Sequence, residues 1–293
     1  MTSQSTAAPG EATLRAAAVQ LNSTQDRDEN LARAERLTRA AAADGATLVL
    51  LPERADVRGN GDDYERSAAP VDEHATVRWA KRLARELHID LIPGSLVERR
   101  DGHAKSSNTS VHVGPEGELK AVYRKIHLFD VEVEGREYLE SDTDEAGDQI
   151  VVSELQDGTP VGLTICYDLR FPELYRIQAL RGARVLTVPA NFTRPTGEAG
   201  HWEVLLRARA IENQAFVIAA AEFGDHPHDM GDTYGNSMII DPWGTVLDRL
   251  DKREEGYAIA DIDFDRQDDV RAKLPSLANR AGAAYAWPQE ARV

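Results

Sequence analysis

At 293 residues the chain is long enough to bury one large core, and it contains no run of about 18 apolar residues that could span a bilayer. A formal net charge of −16 argues against nucleic acid as a partner, because phosphates call for clustered cations. The single cysteine excludes an internal disulfide and fits a reducing cytoplasm.

The stretch from Met1 to Glu11 is polar and lacks the basic-then-apolar layout of a secretory signal, so residues 1–12 read as a disordered tail. A strand follows at Leu14–Leu21. Leu31, Ala34 and Leu37 then recur at helical spacing within Asn30–Ala43, and Gly45 closes that helix. After a strand at Thr47–Leu51, Val77, Ala80, Leu83 and Leu87 predict a helix over Val71–Leu87. Strands are expected at Asp90–Leu96, Thr109–Val113 and Ala121–Tyr123, the last two joined by the turn Gly114-Pro115-Glu116-Gly117. The second half repeats the alternation. Strands at Val161–Cys166, Arg184–Pro189, Ala215–Ala221, Ser237–Ile240 and Tyr257–Asp261 are interleaved with two helices. One opens at Pro172 and ends at Gly182, and the other covers Trp202–Gln214. With no linker, repeat or low-complexity tract, this predicts one α/β domain over residues 13–270, with mixed sheets and outer helices. Residues 271–293 are left as a C-terminal tail available to an oligomer interface.

Three residues sit where chemistry could occur. Cys166 ends an apolar strand just before a helix, where a nucleophile is exposed and backbone N–H groups converge. A thiol with an ordinary pKa near 8.5 needs a base or a cation beside it to react at neutral pH. Glu53 ends the apolar run Leu48-Val49-Leu50-Leu51-Pro52, so its carboxylate is partly desolvated and a better base. Lys125, one of only six lysines among 34 basic residues, could steady a thiolate and an oxyanion. Each has a plain alternative: a core cysteine, a solvent-facing strand-end glutamate, a surface lysine.

The alternatives lose ground when the contexts are read together. Leu51-Pro52-Glu53, Tyr123-Arg124-Lys125-Ile126-His127-Leu128-Phe129-Asp130 and Cys166-Tyr167-Asp168-Leu169-Arg170-Phe171-Pro172-Glu173-Leu174, in that order, resemble the nitrilase superfamily of carbon–nitrogen hydrolases. Ser107-Asn108-Thr109, His201-Trp202-Glu203, Arg207-Ala208-Arg209-Ala210-Ile211-Glu212-Asn213 and Asp241-Pro242-Trp243-Gly244 extend the resemblance over nearly the whole chain. It implies a four-layer αββα sandwich of two mixed sheets with helices outside, associating as a homodimer or higher homo-oligomer. In this likeness Glu53 is the proton carrier and Cys166 the nucleophile that forms a thioester. Lys125 and the Tyr167 N–H stabilise the oxyanion. A second carboxylate is implied on the loop after the lysine, with Glu140 the best match and Glu134 and Glu137 nearby.

Tyr167-Asp168-Leu169-Arg170 after the cysteine resembles the amidase branch acting on deaminated glutathione and on ω-amides of 2-oxo acids. Nitrile-cleaving members typically carry Trp-Glu there, and the carbamoylputrescine branch Trp-Asp. The implied substrate is a small carboxylate-bearing amide, with Arg170 as the first candidate to bind the carboxylate. An equally plausible use for Arg170 is pairing with Asp168 or Glu173. The alternative activities are hydrolysis of N-carbamoyl or aliphatic amides, or acyl transfer; a non-catalytic relative would have lost a triad residue, and none is lost. Two segments depart from the family pattern and border the expected pocket. Arg54-Ala55-Asp56-Val57-Arg58-Gly59 replaces an aromatic-containing stretch, and the segment starting at Asn191, a candidate substrate contact, is slightly long before His201. Arg54, Arg58 and Arg194 suit either a more acidic substrate or, as favoured from sequence, an Arg-rich surface. Asp225-His226-Pro227-His228-Asp229 lacks a third metal ligand at standard spacing, so no metal is expected, and no phosphate loop or dinucleotide fingerprint calls for a cofactor.

Overall fold

The computed structural model describes residues 14–226 and 231–284. The N-terminal tail expected at residues 1–12 lies outside them. Two mixed sheets form the centre. The first runs in the order Gly256–Asp261, Arg15–Gln20, Leu48–Leu50, Asp90–Ile92, Ser107–Val113, Leu96–Glu98, with Leu119–Arg124 also paired to Ser107–Val113. The second runs Val246–Arg249, Met238–Ile240, Phe216–Ala221, Val185–Ala190, Pro160–Leu163, Val152–Glu154.

Side-chain alternation explains the layering. Along the first sheet Ala16, Ala18, Leu48 and Leu50 join Val161, Leu163, Val185 and Ile239 of the second sheet in one apolar cluster. Their neighbours Ala17, Val19, Val49 and Leu51 turn the other way, onto Ala34, Leu37, Val77, Ala80 and Leu83 of the helices Arg27–Ala43 and Ala75–Leu87. A strand buried on both faces reads as a continuous apolar run, which is why these segments lack polar alternation. Tyr175, Trp202, Leu206 and Ala210, from the helices Pro172–Leu180 and His201–Asn213, cover the second sheet. The arrangement is the four-layer αββα sandwich that the resemblance implied.

Several boundaries differ from the sequence reading, each for a local reason. The strand expected over Asp90–Leu96 breaks in two, because Gly94 takes a φ of +72°. A Cβ there would lie 1.6 Å from the Pro52 carbonyl oxygen, so only glycine lets this corner rest against the chain leading into Glu53. The helix expected from Val71 starts at Ala75, where the His74 side chain accepts the Thr76 N–H. Cys166 lies beyond its strand, in a 3-10 turn over Cys166–Arg170. The last helix, Phe264–Lys273, crosses the boundary expected at 270. A hairpin of Asp130–Val133 and Arg136–Leu139 and a short helix at Gly61–Ser67 are additional; both sit beside the cavity described next.

Candidate active site

Strand ends position the site. Leu48–Leu50, Pro160–Leu163 and Val185–Ala190 are parallel strands, and just past their carboxyl ends stand Glu53, Cys166 and Asn191. This is where open α/β sheets place ligands. Lys125 follows directly on Leu119–Arg124. Glu53, Lys125, Glu140, Cys166, Tyr167, Arg170 and Asn191 all line a single cavity of ≈320 Å³. The sequence therefore pointed to residues that the fold brings together.

Lys125 is 2% exposed and lies between two carboxylates. Its Nζ donates to Glu53 Oε1 at 3.1 Å and to Glu140 Oε2 at 2.7 Å. Asn108 Nδ2 bridges the same pair, donating to Glu53 Oε1 at 2.8 Å and Glu140 Oε1 at 3.0 Å. Backbone groups complete the cradle: the Asn191 N–H donates to Glu53 Oε2 at 3.0 Å and the Phe129 N–H to Glu140 Oε2 at 2.7 Å. Of the three loop glutamates considered, Glu140 is therefore the one that meets the lysine. Glu134 sits at the hairpin turn, and Glu137 is exposed on its second strand.

The charges reinforce each other. Burial pulls Lys125 down, but Glu140 and Glu53 more than offset it and hold the ammonium above the ordinary lysine range. Burial would push Glu140 up, yet Lys125 and Arg54 bring it down to about 2. Glu140 is thus a fixed anion. Burial and the Glu53 charge push the Cys166 thiol well up, while Lys125 and the Asn191 N–H pull the other way. The resting sulfur is a thiol beside a carboxylate, and it needs that carboxylate to take its proton.

Cys166 itself has a φ of +47°, an uncommon value for a residue with a side chain, and one that recurs where a nucleophile is held at a sharp turn. Asp168 stabilises this turn. Fully buried, it accepts the Ile165 N–H at 2.8 Å and the Tyr123 hydroxyl at 2.7 Å, and also the His127 N–H, with the His127 ring Nδ1 2.7 Å away. Tyr123 and His127 flank Lys125, so one carboxylate joins the cysteine turn to the lysine strand. Sequence reasoning missed this role, and that of Asn108. Asp168 could have been singled out as the one acid in Cys166-Tyr167-Asp168-Leu169, whereas Asn108 lies among other polar residues, Ser107-Asn108-Thr109-Ser110, and carried no such signal.

Arginines also needed correction. Arg170 does not pair with Asp168 or Glu173; its guanidinium lies 5.3 Å from the Phe192 ring centroid and 3.3 Å from His201 Nδ1. Arg54 and Arg58, favoured as surface residues, line the cavity. Arg54 is buried in an ion pair with Asp144 at 2.9 Å and lies 4.2 Å over the Tyr64 ring. Only Arg194 keeps to the surface, paired with Glu198 and Asp232. His226 is buried against Thr233 Oγ1 at 2.7 Å, and Pro227, His228 and Asp229 lie outside the described residues. Among the described residues no three His, Cys, Asp or Glu side chains gather as a metal site.

The carbon–nitrogen hydrolase family profile matches residues 15–272. The chain belongs to that family. It is a hydrolase acting on the carbon–nitrogen bonds of amides. Among this hydrolase's relatives, the deaminated glutathione amidase of Synechocystis sp. is 42% identical over 268 residues, covering 90% of this chain and 97% of that protein. The Mus musculus omega-amidase NIT2 is 38% identical over 277 residues, covering 93% and 97%. The crystal structure of the C. elegans NitFhit protein superposes with a TM-score of 0.84 at 36% identity, covering 94% of this chain and 67% of that one. No helix among the described residues of this hydrolase is long and apolar enough to cross a membrane.

Proposed function

We propose that the protein hydrolyses a small carboxylate-bearing amide, of the 2-oxo-acid ω-amide or deaminated-glutathione type, through a thioester on Cys166. The observation that carries this reading is the buried Lys125, held between Glu53 and Glu140 in the cavity that Cys166 enters. Glu53 takes the thiol proton as Sγ attacks the carbonyl carbon, and the tetrahedral oxyanion forms against Lys125 and the Tyr167 N–H. The proton on Glu53 passes to the leaving nitrogen as the carbon–nitrogen bond breaks, releasing ammonia or an amine. Glu53 then takes a proton from water as its oxygen attacks the thioester, and returns that proton to the sulfur as the carbon–sulfur bond breaks, freeing the acid and restoring the thiol. Glu140, fixed as an anion, keeps Lys125 charged and in place, leaving proton transfer to Glu53.

The branch assignment rests on the identities to the Synechocystis and mouse amidases and on Arg170, which has no carboxylate partner among the described residues. Rates on 2-oxoglutaramate, deaminated glutathione, N-carbamoyl amines and plain aliphatic amides test it. The first two are expected to be fastest, and faster turnover of either neutral class would discard the reading. Arg170→Ala is expected to lower kcat/KM for carboxylate substrates about tenfold or more relative to neutral amides, the scale of a charge-assisted hydrogen bond. Equal losses on both classes would remove Arg170 from substrate binding.

We further propose a homodimer or higher homo-oligomer in the cytoplasm. Val204, 67% exposed, and Ile211 on the helix His201–Asn213, with Ile177 and Leu180 on its neighbour, leave apolar side chains facing outward. A free cysteine that must stay reduced suits a reducing compartment. Light scattering on the purified chain is expected to give the mass of at least two copies; a single-chain mass at micromolar concentration would refute the oligomer.

A further inference from the structure

The cavity's cations are not equally neutralised. Lys125 has Glu53 and Glu140, and Arg54 has Asp144. Asp232, also in the wall, is taken by Arg194 and Arg253. Arg58 has no carboxylate partner among the described residues. Its Nη1 donates to the Tyr64 hydroxyl at 2.8 Å. The Asn191 carboxamide, with its oxygen toward the guanidinium, accepts from Nη1 at 2.7 Å, from Nε at 2.8 Å and also from Nη2. Both partners are neutral, so the guanidinium keeps its full charge and one of its five N–H donors for a further partner. The buried acid that senses Arg58, Glu222, is tied to Ser23, and burial pushes it up to about 8, so it carries little charge at neutral pH. Arg58 is half-buried in the cavity wall with neutral partners only, so an anion entering the cavity is the charge partner that the protein itself does not supply.

We infer that Arg58, held by Asn191 and Tyr64, is a second anion subsite, receiving a carboxylate carried by the leaving amine of the substrate. The side of the cavity follows from Asn191. Its N–H binds Glu53 while its side chain holds Arg58, so Arg58 flanks the group that protonates the leaving nitrogen. Arg170 belongs instead to the turn after Cys166, over Tyr167 and Phe192. A substrate lying across Cys166 meets Arg170 with the anion of its acyl part and Arg58 with that of its leaving part. This rests on the proposed amidase reading and narrows it, from ω-amides that release ammonia to amides that release an acidic, peptide-like amine.

The test compares deaminated glutathione with its C-terminal carboxamide, which differ only in the leaving-side charge. The wild-type protein is expected to prefer the acid by about tenfold or more in kcat/KM, and Arg58→Met to reduce that preference to about twofold or less. Arg58→Gln, which keeps a hydrogen-bonding stem for Asn191 and Tyr64, is expected to do the same and covers the case in which the Met variant folds poorly. A preference that survives in either folded variant overturns the subsite, as does an equal loss on both compounds. Calorimetric binding of both compounds to Cys166→Ala, with and without Arg58→Gln, separates the two claims. Arg58-dependent binding of the acid without wild-type turnover keeps the subsite and sinks the amidase reading. Turnover with Arg58-independent binding does the reverse, and neither binding nor turnover overturns both.

Discussion

Replacing Cys166 by alanine is expected to lower turnover of the preferred amide by at least about a thousandfold, because no covalent intermediate can form without the sulfur. The neighbouring groups do not compensate. Lys125 is occupied by two carboxylates and carries no lone pair at working pH, and Glu140 is a fixed anion turned toward that lysine. Glu53 could still activate water directly, but water lacks the thiol's nucleophilicity and its fixed position at the turn. The fold should survive. Cys166 contributes one sulfur atom to a large apolar cluster, and its removal is worth about 1 kcal/mol, a shift of roughly 2 °C in Tm for a chain of this size. Steady-state rates and thermal melts on the same preparation check both halves. A variant that retains a tenth of wild-type activity is incompatible with a thioester on this residue.

The inner architecture was legible because burial on two faces writes itself into sequence. Leu48-Val49-Leu50 and the alanines at 16, 17 and 18 have no polar alternation because alternate residues feed two different cores. What escaped was decided by contacts between distant segments. The break at Gly94 depends on the Pro52 carbonyl, more than 40 residues earlier. Asn108 is a polar residue in a strand until the fold sets Glu53 and Glu140 on either side of it. Arg58 looked like surface for the same reason. A local reading weighs an arginine in a polar loop as solvated, and only the cavity wall shows it to lack an acid. The Glu53 and Cys166 positions were recoverable because each follows an apolar strand paired in parallel with its neighbours, whose carboxyl ends gather at the site, and Lys125 because it directly follows the half-buried antiparallel strand Leu119–Arg124.

Lys125→Met is the second large effect, and it should appear in stability as well as rate. The side chain keeps its length and loses its charge, leaving Glu53 and Glu140 as buried anions bridged by one Asn108 amide group. Breaking a buried ion pair from one side costs on the order of 3–5 kcal/mol, while loss of an oxyanion donor costs about 10²–10³ in kcat. The pH dependence distinguishes this from simple misfolding. In the wild type Glu140 titrates at about 2, below its ordinary 4.5, so its contribution to stability is present above 4.5 and is lost as pH falls toward 2. Without Lys125 the two carboxylates repel, and one of them binds a proton more tightly when folded than when unfolded. The variant therefore gains stability as pH falls from 8 to 5, over a range where the wild-type Glu140 contribution stays constant. The Tm gap between the two proteins is expected to narrow steadily over that range. A gap that does not change with pH would mean that Lys125 is not what permits two carboxylates to share one buried site, and the account of how Glu53 stays free to carry the proton would fall with it.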